Sequence, residues 1–141
     1  MVDVSAKPVT RRIAEASCRL ECAAETIARL GALPKGDAFA VARLAGIQAA
    51  KRTAEWIPLA HPLPLDSVEI ELSPEEAAVR IASRVVTTAR TGAEMEALTA
   101  CAAAALALYD MVKAIDRGAV VTELRLDAKS GGKSGDYRRT P

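Results

Sequence analysis

Apolar positions along the chain follow first a two-residue and then a helical period, and each change of period marks an element. Ala14, Ala16, Cys18 and Leu20 alternate with Glu15, Ser17, Arg19 and Glu21, which predicts a half-buried strand. Ala23 to Leu30 takes helical spacing, and Gly31 stops it. After the loop Leu33-Pro34-Lys35-Gly36, Asp37 is placed to cap a second helix over about Ala38–Trp56, ended by Pro58. The stretch IPLAHPLPL (Ile57–Leu65) has no period and is stiffened by its prolines. Val68, Ile70 and Leu72 alternate with Glu69 and Glu71 as a second strand, and Ser73-Pro74-Glu75-Glu76 has turn chemistry. Val79, Ile81 and Val85 set against Arg80 and Arg84 give a third strand, hairpinned to the second. Val120, Thr122, Leu124 and Leu126, alternating with Val121, Glu123, Arg125 and Asp127, give a fourth.

Between the third and fourth strands runs the longest predicted element, a helix from Thr91 to Gly118. Thr91 and Glu94 have capping-box spacing, Arg117 lies in the last turn, and Gly118 suits the left-handed C′ position. Leu98 to Leu108 is almost continuously apolar and rich in alanine, the pattern of a helix buried on all sides with close neighbours. The order β-α-α-β-β-α-β predicts an α+β fold: a ferredoxin-like, four-stranded antiparallel sheet with three helices. One domain over residues 1–141 is expected, with a basic arm at 1–12 and a glycine-rich, basic, mobile tail at 128–141.

Composition narrows the partners. Lys and Arg number 19 against 18 Asp and Glu, so no global field recruits nucleic acid or an anionic membrane, and any anion site must be local. Aromatics make up 3% of the chain, too few for stacking platforms. The apolar run near Ala100–Tyr109 is shorter than a membrane span, and no charged-then-apolar leader opens the chain, so a cytoplasmic protein is expected. Cys18, Cys22 and Cys101, with the single His61, match neither a disulfide framework nor a zinc spacing; they read as small buried hydrophobes, with no metal.

Asp110 and Lys113 stand three residues apart on one helix face at the end of the dry segment. Held partly out of water, such a pair can tune the lysine toward neutrality for proton transfer; on spacing alone a structural ion pair is the commoner outcome. His61 is oriented by the flanking prolines, although a lone histidine is more often structural. Lys129–Asp136, KSGGKSGD, offers glycine backbone and lysines for an anion. It is no P-loop: Asp127 stands where the first glycine belongs, and no helix follows. Lys35, Lys51 and Arg52 flank the second helix as candidate cations, solvated by default. Glu94 has its capping role, whereas Glu96 has none. Glu94 and Asp110, 16 residues apart, lie roughly 24 Å apart along a helix and point in different directions. If both serve one ligand, the site lies between chains.

Six runs together closely resemble one family. They are MVDVSAKP (Met1–Pro8), KGDAFAVARLAGIQAAKRT (Lys35–Thr53), IPLAHPL (Ile57–Leu63), TGAEMEALTA (Thr91–Ala100), YDMVKA (Tyr109–Ala114) and AKSGGKSGDY (Ala128–Tyr137). The resemblance is to the cyclic pyranopterin monophosphate synthases of molybdenum cofactor biosynthesis and covers nearly the whole chain. It implies a ferredoxin-like hexamer, a trimer of dimers with active sites at the dimer interface. The implied reaction takes 3′,8-cyclo-7,8-dihydroguanosine triphosphate to cyclic pyranopterin monophosphate and pyrophosphate without a cofactor. By position it implies Asp110 and Lys113 as catalytic residues. Leu59, Ala60, His61, Met95 and Glu96 become substrate contacts, with Glu94, Lys35, Lys51, Lys129 and Arg12 as further site positions.

This chain departs from the family's pattern in three places. Ala60 stands where Cys is usual and Arg90 where Lys is usual, which keeps the charge but changes its geometry. Relatives commonly carry further residues ahead of the MVDVS run, which leaves the arm's contacts open. Two rival readings are a nucleotide-triphosphate-binding scaffold of the same fold with impaired turnover, and a metal-dependent hydrolase opening a guanine-type ring. The lack of a ligand cluster weighs against the second.

Overall fold

A computed structural model describes residues 1–141. Five antiparallel strands form one sheet in the order β2-β3-β1-β4-β5: β1 Thr10–Glu21, β2 Leu65–Pro74, β3 Ala78–Ala89, β4 Val120–Ser130 and β5 Tyr137–Arg138. Four α-helices accompany them, α1 Ala24–Ala28, α2 Ala38–Lys51, α3 Thr53–Trp56 and α4 Glu94–Val112. The first four strands and the crossovers through α2 and α4 make the ferredoxin-like α+β plan; α1, α3 and the short β5 are additions.

One sheet face carries the core. Ala14, Ala16, Cys18 and Leu20 of β1 are at most 1% exposed and oppose Val85, Ser83, Ile81 and Val79 of β3. Opposed residues of an antiparallel pair share a face. On that face lies α4, whose Ala97, Ala100, Cys101, Ala104, Ala105 and Leu108 are fully buried. By length and hydropathy α4 could cross a membrane, but 61% of it is buried inside the fold, the mark of a core helix. The other sheet face is charged, with Arg84 near Glu15 and Glu69, and Arg19 paired with Glu75.

Several predicted boundaries move. β1 begins at Thr10, so the end of the basic arm is strand. The first helix ends at Ala28, before a 3-10 turn over Leu30–Ala32. The second breaks at Arg52 into α2 and α3, with Asp37 capping α2 through the Ala40 N–H as expected. The capping box of α4 is absent. Its N-cap is Ala93, the Thr91 hydroxyl donates to the Gly92 carbonyl, and Glu94 instead accepts from Lys129. The helix ends at Val112 rather than Gly118, whose N–H goes to the Asp116 carboxylate. The expected mobile tail is tied down: β5 pairs with Ala128 and Lys129, and Arg139 donates to the Leu126 carbonyl.

In β4 the expected alternation fails because two irregularities interrupt its pairing with β1. One lies at Glu123, whose φ is 54°. The other leaves Asp127 unpaired between Leu126, opposite Ala16, and Ala128, opposite Glu15. An extra residue reverses which face every later side chain takes. Lys129 therefore opposes Ala14 and stands on the helix-covered face.

Candidate functional site

The residues singled out from the sequence gather at the two ends of α4. At its C-terminal end, Asp110 accepts from Lys113 Nζ at 2.8 Å and from Lys35 Nζ at 2.6 Å. Lys35 arrives from the loop before α2, so a helix end and a loop 75 residues away converge on one carboxylate. The three side chains are about half exposed.

This exposure overturns the expectation of a lysine tuned toward neutrality. Little desolvation acts, and the hydrogen bond and charge of Asp110 hold Lys113 above its ordinary value. The Lys113 and Lys35 hydrogen bonds push Asp110 down to about 2. The cluster is thus two ammonium groups on one carboxylate, with a net positive charge.

At the N-terminal end, the turned Lys129 donates to Glu94 Oε1 at 2.9 Å and to Ser134 Oγ at 3.1 Å. Glu96, one helical position pair further on, is 3% exposed, and burial raises its carboxyl to about 7 against the opposing effect of its own backbone N–H, with the Glu94 charge adding to the rise. Met95 between them faces outward. Arg12 is buried and donates to the Ala89 and Arg90 carbonyls, on the turn leading into α4.

His61 borders the same turn. It lines a hollow of about 260 Å³ with Val4, Val9, Arg90 and Thr91. A neighbouring hollow of about 300 Å³ adds Met1, Lys7 and the exposed Leu59. The proline loop is anchored where the buried Thr87 hydroxyl donates to the Pro64 carbonyl. Ala60 closes a turn onto the Ile57 carbonyl. Lys51 is exposed at the end of α2. Because Lys35 lies by Asp110 and Gly46 by Ala100, α2 runs antiparallel to α4, which puts Lys51 at the α4 N-terminal end.

The largest concavity, about 500 Å³, lies elsewhere, on the charged sheet face among Glu15, Glu69, Arg80 and Arg84. None of the expected site residues lines it, and its Arg84 is held by Glu15 and Glu69. The chemistry points to the ends of α4. Sequence reasoning missed Ser134, whose hydroxyl accepts from Lys129; the glycine-rich run already singled out, whose Gly132 lies against Arg12, was the available signal.

The MoaC family model matches residues 1–132. The chain belongs to the MoaC family. A cyclic pyranopterin monophosphate synthase of Streptomyces griseus is 58% identical to it, over 99% of this chain and 80% of the relative. One from Thermomicrobium roseum is 53% identical, over 99% and 86%. Cyclic pyranopterin monophosphate synthase 3 of Mycobacterium tuberculosis is 54% identical, over 99% and 80%. The MoaC family match takes in both ends of α4 and every residue of the two clusters except Ser134.

Proposed function

We propose that the protein converts 3′,8-cyclo-7,8-dihydroguanosine triphosphate into cyclic pyranopterin monophosphate and pyrophosphate; the relatives' name supports the formation of cyclic pyranopterin monophosphate. The observation that carries the reading is the Lys35–Asp110–Lys113 cluster, a local positive site in a chain of net charge +1. A triphosphate needs fixed cations, and charge developing on its oxygens as a bond breaks is stabilised best by groups already in place.

Asp110 and Lys113 are the catalytic residues of this reading. Lys113 starts protonated and Asp110 ionised, so the first proton the pair supplies comes from Lys113, to the purine-derived ring as it opens. The amine then takes a proton back as the pyranopterin closes. A ribose-derived hydroxyl attacks the α-phosphorus, the new P–O bond closes the cyclic phosphate, and the bond to the β-phosphate breaks to release pyrophosphate. Cys18 and Cys101 are sealed in the core and take no part. Lys35 at the C-terminal end of α4 and Lys51 and Lys129 at its N-terminal end hold the triphosphate, while Leu59, Ala60, His61, Met95, Glu94 and Glu96 contact the substrate from the N-terminal end.

The two ends are too far apart to share one small molecule within a chain, so the site forms where a second copy brings its opposite end. A hexamer built as a trimer of dimers provides such sites, and the reading places the enzyme in the cytosol.

The deciding experiment is pyrophosphate release from the cyclised GTP intermediate, with and without chelator. Lys113→Ala is expected to lower turnover by about 100-fold or more while leaving triphosphate binding largely intact. Normal turnover in that variant ends the proposal. Ala60, where the family usually has Cys, favours one rival: substrate binding by the wild type without pyrophosphate release identifies a scaffold.

A further inference from the structure

We infer that Asp116 is a positioning residue: by tying the chain just beyond α4 to the junction of β1 and α1, it holds Lys113 where the proposed reaction needs it. The inference rests on the functional reading above for what Lys113 does. Lys113 is the C-cap of α4, its N–H donates to the Tyr109 carbonyl at 2.8 Å, and its side chain is half exposed. The last turn of a helix lacks donors for its final carbonyls and is the part that frays. The Lys113–Asp110 ion pair cannot prevent this, because both partners belong to the turn that moves.

Asp116 supplies the tie. Its Oδ2 accepts from the Ala23 N–H and from the Thr26 hydroxyl, each at 2.9 Å, across 93 and 90 residues of chain. Thr26 is 3% exposed, so the anchor lies in the body of the fold. The Ala23 N–H and the Thr26 hydroxyl hold the Asp116 carboxyl below its ordinary value, which keeps it a full acceptor. From Asp116 the backbone leads straight back into the helix, its N–H and that of Ile115 each donating to the Val112 carbonyl at 2.9 Å. Asp116 Oδ1 does a different job, accepting from the Gly118 N–H at 3.0 Å to close a local turn. One oxygen spans the fold and the other does not, and variants separate the two.

Asp116→Ala removes both. In the full-length assembled protein it should lower kcat for pyrophosphate release from the cyclised GTP intermediate about 10-fold, the scale of a slightly misplaced reacting group, with KM within about threefold of wild type. Asp116→Asn keeps an acceptor oxygen for Ala23 and Thr26 and loses only the local turn, so its kcat should stay within about twofold of wild type. Thr26→Val removes one donor that spans the fold, leaves the local turn, and should cost about threefold. A tie that acts through Lys113 has nothing left to place in Lys113→Ala, where adding Asp116→Ala should cost no more than about twofold; added to Lys51→Ala it should cost the full loss of about 10-fold.

Amide exchange reads the tie without turnover: residues 112–118 should exchange faster in Asp116→Ala than in wild type or Asp116→Asn, with the first turns of α4 unchanged. Asp116→Asn as impaired as Asp116→Ala overturns the inference, because the local turn then carries the effect. The full further loss in the Lys113→Ala background also overturns it and makes the role one of general stability, as does exchange that Asp116→Ala leaves unchanged. A wild type that releases no pyrophosphate removes the functional reading but leaves the tie to be judged by exchange.

Discussion

Glu96 occupies the first turn of α4 almost without solvent, and a carboxyl in that position ionises against its surroundings. Its value rises from 4.5 to about 7, chiefly through burial. Below 4.5 the group is neutral folded and unfolded, and it adds no pH dependence. Between 4.5 and 7 the folded state holds the proton more tightly, so stability falls as pH rises. Above 7 the cost is complete, about 3 kcal/mol for a rise of this size. Glu96→Gln removes the ionisation, so melts of the variant and wild type should diverge from pH 5 to pH 8, the variant gaining by that order. Parallel melting curves across the range would show Glu96 to be solvated. This behaviour was only half legible in the sequence, which marked Glu96 as an acid without a capping role. At Asp110 and Lys113 the spacing was legible and the environment was not. Apolar neighbours along the helix suggested a dry pair, yet the last turn lies at the fold's edge, where the ion pair outweighs desolvation.

Among the elements, α2 and α4 approach closely because small residues line their contact. Ala42, Ala49 and Ala50 of α2 are buried, as are Ala97, Ala100 and Ala104 of α4. Gly46 sits where a Cβ would come within 2.9 Å of the Ala100 carbonyl oxygen and 3.0 Å of Ile70 Cδ1. Glycine-to-alanine in an exposed helix gains about 1 kcal/mol. At Gly46 the clash is with backbone and outweighs that gain, and overpacking typically costs about 1–3 kcal/mol. Gly46→Ala should therefore lower the unfolding midpoint in denaturant; a rise would mean that the helices can part freely. The alanine-rich pattern made this close packing readable in advance, and the strand periods made β1, β2 and β3 readable too. The face taken by β4 was not, because an irregularity is set by pairing with β1. No local residue pattern shows that Asp127 is left unpaired, and so none shows that Lys129 turns inward to meet Glu94. The same long-range contact removed the capping box that Thr91 and Glu94 suggested.

At the scale of the molecule, one 19-residue helix separates the two sets of side chains that the proposed reading uses. Glu94 lies in the first turn of α4 and Asp110 in its last, with roughly 24 Å between them at 1.5 Å per residue. On the proposed reading a single chain therefore presents two half-sites. Joining them needs a second copy whose C-terminal half-site meets the first copy's N-terminal one, and twofold symmetry makes two such composite sites per dimer. Glu94→Gln disables one half and Lys113→Ala the other, and each should be inactive by itself. Unfolded together and refolded at equal amounts, half of the dimers are mixed, and each mixed dimer holds one site with both changes and one with neither. Activity should then recover to about a quarter of wild type by this count. A site contained within one chain gives no recovery at any mixing ratio, because every chain carries a defect. Mixing without refolding should stay inactive as long as the subunits do not exchange, which separates assembly from simple addition of residual activities. Recovery near a quarter would locate the reaction between subunits from kinetics alone.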